Sequence, residues 1–240
     1  MASNLWQGTW QGRSPAGDQH RRSREVVRPT GGIMRGKFPS RKNGRMVHHE
    51  GMLELDAIYL FEASPQIVRY REQPSTIRYP DGEKLRRYTP DFELLLITGE
   101  LVLVEIKPMR SLEDDEVRHK LDCVAAYLKR CSQTFVVLTD DIIRHEPNLS
   151  NLRWVYHRAA RVPPSADAGR IAAQRHRQQF PLPIGTAVAL FAAYGTDPYS
   201  LLLAGWLRCA LSQPISSDTQ VILATETDDG WFWISHKYGF

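Results

Sequence analysis

The sequence predicts an α/β protein in which a central mixed sheet is flanked by helices and followed by a small, largely helical domain. Three observations carry this. Residues 88–108, YTPDFELLLITGELVLVEIKP, hold two nearly continuous apolar runs around the turn residues Thr98-Gly99-Glu100, the pattern of central strands covered on both faces. Stretches over 49–62 and 117–130 repeat apolar residues at helical spacing on either side of that hairpin. After Tyr156 the composition shifts, first to Ala, Arg and Pro and then to short apolar helical runs.

Taken in order, residues 1–47 are rich in Gly, Ser, Pro and Arg and lack apolar periodicity, so they read as a basic, loosely packed arm. Met52, Leu55 and Tyr59 then fall on one helical face, and Pro65 stops the run. QIVRYREQP and STIRYP are short extended segments, each closed by proline. The FELLLI and LVLVEI strands follow, then a helix ending at Arg130 with acids in its first turn and Lys129-Arg130 in its last, which suits its dipole. TFVVLTD is a further buried strand and LRWVY a short apolar segment. These elements make a domain over 48–160, and 161–181 read as a linker and basic helix. Over 182–240, IGTAVALFAAYG and DPYSLLLAGWLRCAL predict two helices, the second capped by Asp197 with Pro198 at its first position. TQVILAT and GWFWISHKYGF predict a small ribbon around Asp228-Asp229-Gly230, giving a helix-turn-helix or winged-helix-like pattern.

Charge and cysteine usage narrow the function classes. Lys and Arg number 31 against 27 Asp and Glu in 240 residues. Ten cations and two acids lie before residue 48, so a basic arm precedes a slightly acidic body. That arrangement fits a polyanion such as nucleic acid, and equally a solvated tail. Three cysteines without a C-x-x-C pair indicate neither a disulfide framework nor a structural zinc site. No stretch has the length of a signal sequence or a membrane span. The expected setting is the cytosol, without a membrane partner.

Asp91, Glu105 and Lys107 interrupt the apolar hairpin. Glu105 and Lys107 are two apart and share a face. A hairpin centred on residues 98–100 brings position 91 nearly opposite 107. Charges leaving water need partners or a metal, and paired carboxylates make a hard oxygen site suited to Mg²⁺. The pattern alone fits a salt-bridged sheet edge as well as a metal site. Glu54, inside a helix apolar on most sides, can supply a third carboxylate, and Gln73 lies on the strand between that helix and the hairpin. His48-His49-Glu50 is not H-E-x-x-H, because Leu53 stands where the second His belongs; the histidines read as surface or capping residues, with approach to a phosphate as the alternative. Trp231, Phe232 and Trp233 read as small-domain core or as a stacking platform.

Glu54, the Thr89-Pro90-Asp91 run and Glu105-Ile106-Lys107 resemble the PD-(D/E)xK nuclease superfamily, which implies a restriction-endonuclease-like core. The runs GRMVHHEGMLELDAIYLFEASPQIVRYREQP, YTPDFELLL, LVEIKP, KLDCVAAYLKR and FVVLTDDII, over about residues 45–157, resemble the TnsA family, endonuclease subunits of heteromeric Tns-type transposases. The resemblance implies that Glu54, Asp91 and Glu105 hold Mg²⁺, with Mn²⁺ tolerated, and that these residues with Lys107 hydrolyse one phosphodiester at each transposon 5′ end; Gln73, which by itself reads as an edge-strand hydrogen bond, is counted with this catalytic group. It further implies DNA transposon ends, a TnsB-like DDE transposase and a TnsC-like AAA+ ATPase as partners, the last through residues 182–240, in a bacterial cytosol at the nucleoid. A stand-alone restriction-like or junction-resolving nuclease, and a non-catalytic DNA- or partner-binding module, are the alternatives.

Overall fold

A computed structural model describes residues 35–162, 165–224 and 231–240. The chain falls into two compact units, one comprising residues 1–58 and 67–143, the other 59–66 and 144–240.

The first unit opens with the antiparallel hairpin β1 (Arg35–Ser40) and β2 (Arg45–Glu50), followed by helix α1 (Met52–Ala63), whose first residues belong to this unit. Then come β3 (Ile67–Glu72), the hairpin β4 (Ile77–Asp81) and β5 (Lys84–Tyr88), β6 (Phe92–Leu96), β7 (Leu101–Lys107), α2 (Asp115–Arg130), β8 (Thr134–Thr139) and the short α3 (Asp140–Ile143). The main sheet runs β3-β6-β7-β8, antiparallel except for the parallel β7–β8 pair. It is the mixed central sheet flanked by helices that the sequence predicts.

The near-continuous apolar character of β7 has a direct cause: residues 102–106 are all buried, since the strand sits between β6 and β8 with both faces covered. Helix α2 lays Leu121, Val124 and Leu128 against Leu103 and against Tyr79 and Tyr88 of the β4–β5 hairpin. Asp114 caps it by accepting from the Glu116 and Val117 amides.

Residues 35–47, expected within the loose arm, are instead mostly strand, while residues 1–34 lie outside the described residues. Two features offset their polar composition. Phe38 and Val47 pair across the hairpin and are both buried. Arg45, one of the cations that make the segment look like a tail, is buried against Glu72: its two terminal nitrogens donate to Oε1 and Oε2 at 3.0 and 2.7 Å. The turn between the strands closes through Gly44 at φ 62°, where a glycine avoids the Cβ clash. Within the turn, Lys42 donates to the Ile67 carbonyl and Asn43 accepts from the Tyr70 amide.

The second unit contains α4 (Asn148–Arg158), α5 (Ala166–Arg175), β9 (Leu182–Pro183), α6 (Ile184–Ala192), α7 (Pro198–Leu203), β10 (Leu207–Cys209) and β11 (Gln220–Leu223). The LRWVY segment lies within α4. The small sheet is antiparallel in the order β10-β11-β9, so from α5 onward helix, strand, two helices and two strands follow one another, as in a winged helix. Asp197 caps α7 as predicted, accepting from the Ser200 amide at 2.7 Å. The helix ends at Leu203, however, and Leu207–Cys209 is strand rather than a continuation, because Gly205 turns the chain at φ 77°. Residues 231–240 carry no strand, and Asp228-Asp229-Gly230 lie outside the described residues. Trp231 is buried and donates from Nε1 to the Cys209 carbonyl, which makes it core. Asn151 ties the unit together, donating to the Leu211 and Gln213 carbonyls and accepting from the Ile215 amide. Among the described residues no helix is long and apolar enough to cross a membrane.

Candidate functional site

The site is built at the open end of the β6–β7 pair. Phe92 pairs with Val104, so the register carried one step further sets Asp91 across from Glu105, not from Lys107 as the hairpin estimate had it. The turn spans residues 97–100, with Gly99 at φ 85°, and this shifts the pairing by two. A shift of two keeps every side chain on its face, and Asp91 still meets Glu105 and Lys107 on one side of the sheet.

Asp91 is buried, and its Oδ2 accepts from the Ile106 amide at 2.8 Å. Glu105, 3 % exposed, pairs through Oε1 with Lys107 Nζ at 2.6 Å, while its Oε2 is buried without a hydrogen-bond partner. Such an atom on a carboxylate is costly unless something else satisfies it. Burial pulls the Lys107 ammonium toward neutrality, but Glu105, Asp91 and Glu54 outweigh it and hold its pKa above the ordinary value.

Glu54 comes from the first turn of α1, and its Oε2 accepts from the Glu50 amide at 2.7 Å. Burial, then the charges of Asp91, Glu50 and Glu105 against that one hydrogen bond, push its carboxyl up to about 9. The helix therefore does bring Glu54 into the field of the other two acids. The three do not close into a tight cluster, because Glu54 is held toward Glu50 and Glu105 toward Lys107. Among the described residues, the group of three or more His, Cys, Asp or Glu donors lying within 4.8 Å of one another is Asp81, His119 and Cys123.

Gln73 is 1 % exposed, its backbone N–H donates to the Asp91 carbonyl at 2.8 Å, and its side-chain Oε1 is buried without a hydrogen-bond partner. Its φ is 45°, a left-handed conformation that costs a non-glycine residue about 1–3 kcal/mol and collects at functional sites. Sequence reasoning placed Gln73 on a strand. It follows β3 instead, and the strain carried no sequence signal.

Tyr88 was missed altogether. Its hydroxyl is buried without a hydrogen-bond partner, and burial, with Glu105 beside it, raises its pKa above the ordinary phenol value. Its place three residues before Asp91 was the available hint. His48 and His49 are buried on β2, not on the surface: His49 Nδ1 lies 3.0 Å from the Gly51 carbonyl, and its ring packs where a Cβ on Gly36 would stand. Burial lowers the His49 pKa, against the Gly51 hydrogen bond and the Asp56 charge.

The donor set fits a hard divalent cation. Three carboxylates supply oxygen ligands, and Glu105 Oε2 is a buried acceptor without a hydrogen bond. Exposed cations Arg78, Lys84, Arg86 and Arg87 stud the β4–β5 hairpin that leads to Asp91.

Residues 64–140 match the family model described as TnsA-like endonuclease N terminal. The match covers Gln73, Asp91, Glu105 and Lys107 and begins after Glu54. A search of curated proteins found no match.

Proposed function

With residues 64–140 matching a TnsA-like endonuclease domain, we propose that the chain is the Mg²⁺-dependent DNA-cutting subunit of a heteromeric cut-and-paste transposase. In this reading it hydrolyses one phosphodiester at each transposon 5′ end. The observation that carries it is the buried Asp91 and Glu105 with half-buried Lys107, Glu54 in their field and Glu105 Oε2 unsatisfied.

Glu54, Asp91 and Glu105 would hold Mg²⁺, which when bound supplies charge neutralisation at the phosphate and a more acidic water. The chain's own residues do the rest. Lys107 keeps its proton and offers a charged donor to the attacking water or to a non-bridging phosphate oxygen, where negative charge grows. Gln73 Oε1 is a buried acceptor without a hydrogen bond, suited to orienting that water. The Ile106 amide fixes the Asp91 carboxylate, so its position does not depend on the substrate. The exposed cations of the β4–β5 hairpin provide phosphate contacts that set DNA register without reading sequence.

A TnsB-like DDE transposase would cut and join the 3′ ends, and a TnsC-like AAA+ ATPase would engage the second unit, in the cytosol at nucleoid DNA. The test is strand-specific cleavage of a transposon end by the reconstituted mixture. Wild-type chain with Mg²⁺ or Mn²⁺ is expected to cut the 5′ end only when its partners are present. Lys107→Ala and Glu105→Gln are each expected to lose about 10²–10³-fold in rate or more, the scale of removing one stabilising group from a reacting centre. Unchanged 5′-end cutting by both variants overturns the site, and full cutting by the chain alone replaces the transposase role with that of an independent nuclease.

A further inference from the structure

Away from the carboxylate site, the tip of the β4–β5 hairpin meets the outer face of α2 through three side chains of unlike chemistry. Asp81 Oδ1 lies 2.9 Å from His119 Nε2, and Cys123 Sγ lies 3.6 Å from the same nitrogen. His119 and Cys123 are four apart on α2 and so stack one turn above the other. Arg86 donates to Asp81 Oδ2 at 2.6 Å, which turns the other oxygen toward the imidazole. Carboxylate, imidazole and thiol donors all fall within 4.8 Å of one another.

Two of the three edges between these donors, both at His119 Nε2, lie near those of a tetrahedral zinc corner. Bond lengths of about 2.0–2.1 Å to N and O and about 2.3 Å to S put a nitrogen and a sulfur about 3.6 Å apart, and a nitrogen and an oxygen about 3.3 Å apart. The observed separations are 3.6 and 2.9 Å, so the His–Cys edge already has its final length. The His–Asp edge widens by only about 0.4 Å as a hydrogen bond gives way to two coordinate bonds. His119-x-x-x-Cys123 has no zinc signature by itself; the third ligand comes from a hairpin nearly forty residues earlier, and only the fold supplies it.

We propose that Asp81, His119 and Cys123 form a binding site for a borderline-soft divalent ion, zinc foremost, with water or an incoming ligand in the fourth position. Imidazole and thiolate select such an ion over Mg²⁺, so the site is chemically separate from the all-oxygen group at Glu54, Asp91 and Glu105. On binding, the Cys123 thiol gives its proton to solvent. The ion clips the hairpin to α2 at the rim of the Tyr79, Tyr88, Leu121 and Val124 core and so braces the strand that delivers Asp91.

Cobalt(II) is the probe, because a thiolate ligand gives a near-ultraviolet charge-transfer band that oxygen ligands do not. Titrating the chelator-treated full chain is expected to raise this band to one equivalent, with Zn²⁺ abolishing it and excess Mg²⁺ leaving it. Cys123→Ser removes the band, His119→Gln weakens Co²⁺ binding at least 10–100-fold, and Asp91→Ala retains both band and affinity. Zn²⁺ raises the melting temperature of the wild type but not of Cys123→Ser. His119 is exposed, so its variant reports even if the cysteine variant folds poorly. A wild-type chain without the band, or a band of full strength in Cys123→Ser and His119→Gln, overturns the proposal.

Discussion

The buried Arg45–Glu72 pair gives the sharpest quantitative prediction. The two side chains are 4 % and 1 % exposed and joined by paired hydrogen bonds at 3.0 and 2.7 Å. The His48 amide donates to Glu72 Oε1 at 3.2 Å as well. Arg45→Met takes the guanidinium from the buried Glu72 carboxylate, and Glu72→Leu takes that carboxylate from Arg45; each is expected to cost about 3–5 kcal/mol. That is a large share of a typical domain stability of about 5–15 kcal/mol. The double variant Arg45→Met/Glu72→Leu removes both charges at once and should return to within about 1 kcal/mol of wild type or above it. Chemical denaturation of the four proteins closes the cycle, with an expected coupling of at least about 5 kcal/mol from these values. Cutting should follow the same pattern as stability. β2 ends at Glu50, whose amide holds Glu54, so loosening the hairpin displaces a carboxylate of the site. Losses that simply add in the double variant, within about 0.5 kcal/mol, would refute the account of this pair.

Two further outcomes follow from the site. Glu54, held up to about 9 against its ordinary 4.5, keeps its proton in the metal-free folded state where the unfolded chain has lost it. The resulting stability is fully present below pH 4.5 and falls as pH rises toward 9, by up to about 1.4 kcal/mol per unit. Denaturation with chelator at pH 6 and pH 8 should show this loss in wild type and not in Glu54→Gln; equal slopes refute it. Gln73→Gly relieves the left-handed strain while adding backbone entropy to the unfolded chain. Thermal unfolding should therefore shift little, while metal-dependent cutting by the complex falls at least tenfold with loss of Oε1. A parallel loss of stability would instead make Gln73 a folding residue.

Much of the core was legible because its signals are local. The α2 helix carries its cap at Asp114, its acids at the start and its bases at the end, and β7 is apolar because it is covered on both faces. The β1–β2 hairpin was not legible, since its decisive contact joins Arg45 to Glu72 across 27 positions and a lone arginine among many reads as solvated. The second unit was misread where a glycine decides the matter. LRCAL has helical composition, but Gly205 at φ 77° ends the helix and releases Leu207–Cys209 into a sheet whose partners lie at 220–223.

The candidate site residues divide along the same line. Asp91, Glu105 and Lys107 stand out in the sequence because charge is rare in buried strands, and side-chain alternation survives even a register estimate wrong by two. Glu54 is visible as a carboxylate on an apolar helix. Tyr88 and the Asp81–His119–Cys123 corner are ordinary residues in ordinary contexts until the chain folds, and Gln73, a candidate from the sequence, is set apart by its backbone only in the structure. What marks them is a left-handed φ, a buried hydroxyl without a partner and a 3.6 Å nitrogen–sulfur separation. Each is a cost or a coincidence that a fold retains only when something compensates it. Measuring metal occupancy at the two sites separately, oxygen-only against sulfur-containing, therefore tests both the residues that sequence exposes and those that only geometry does.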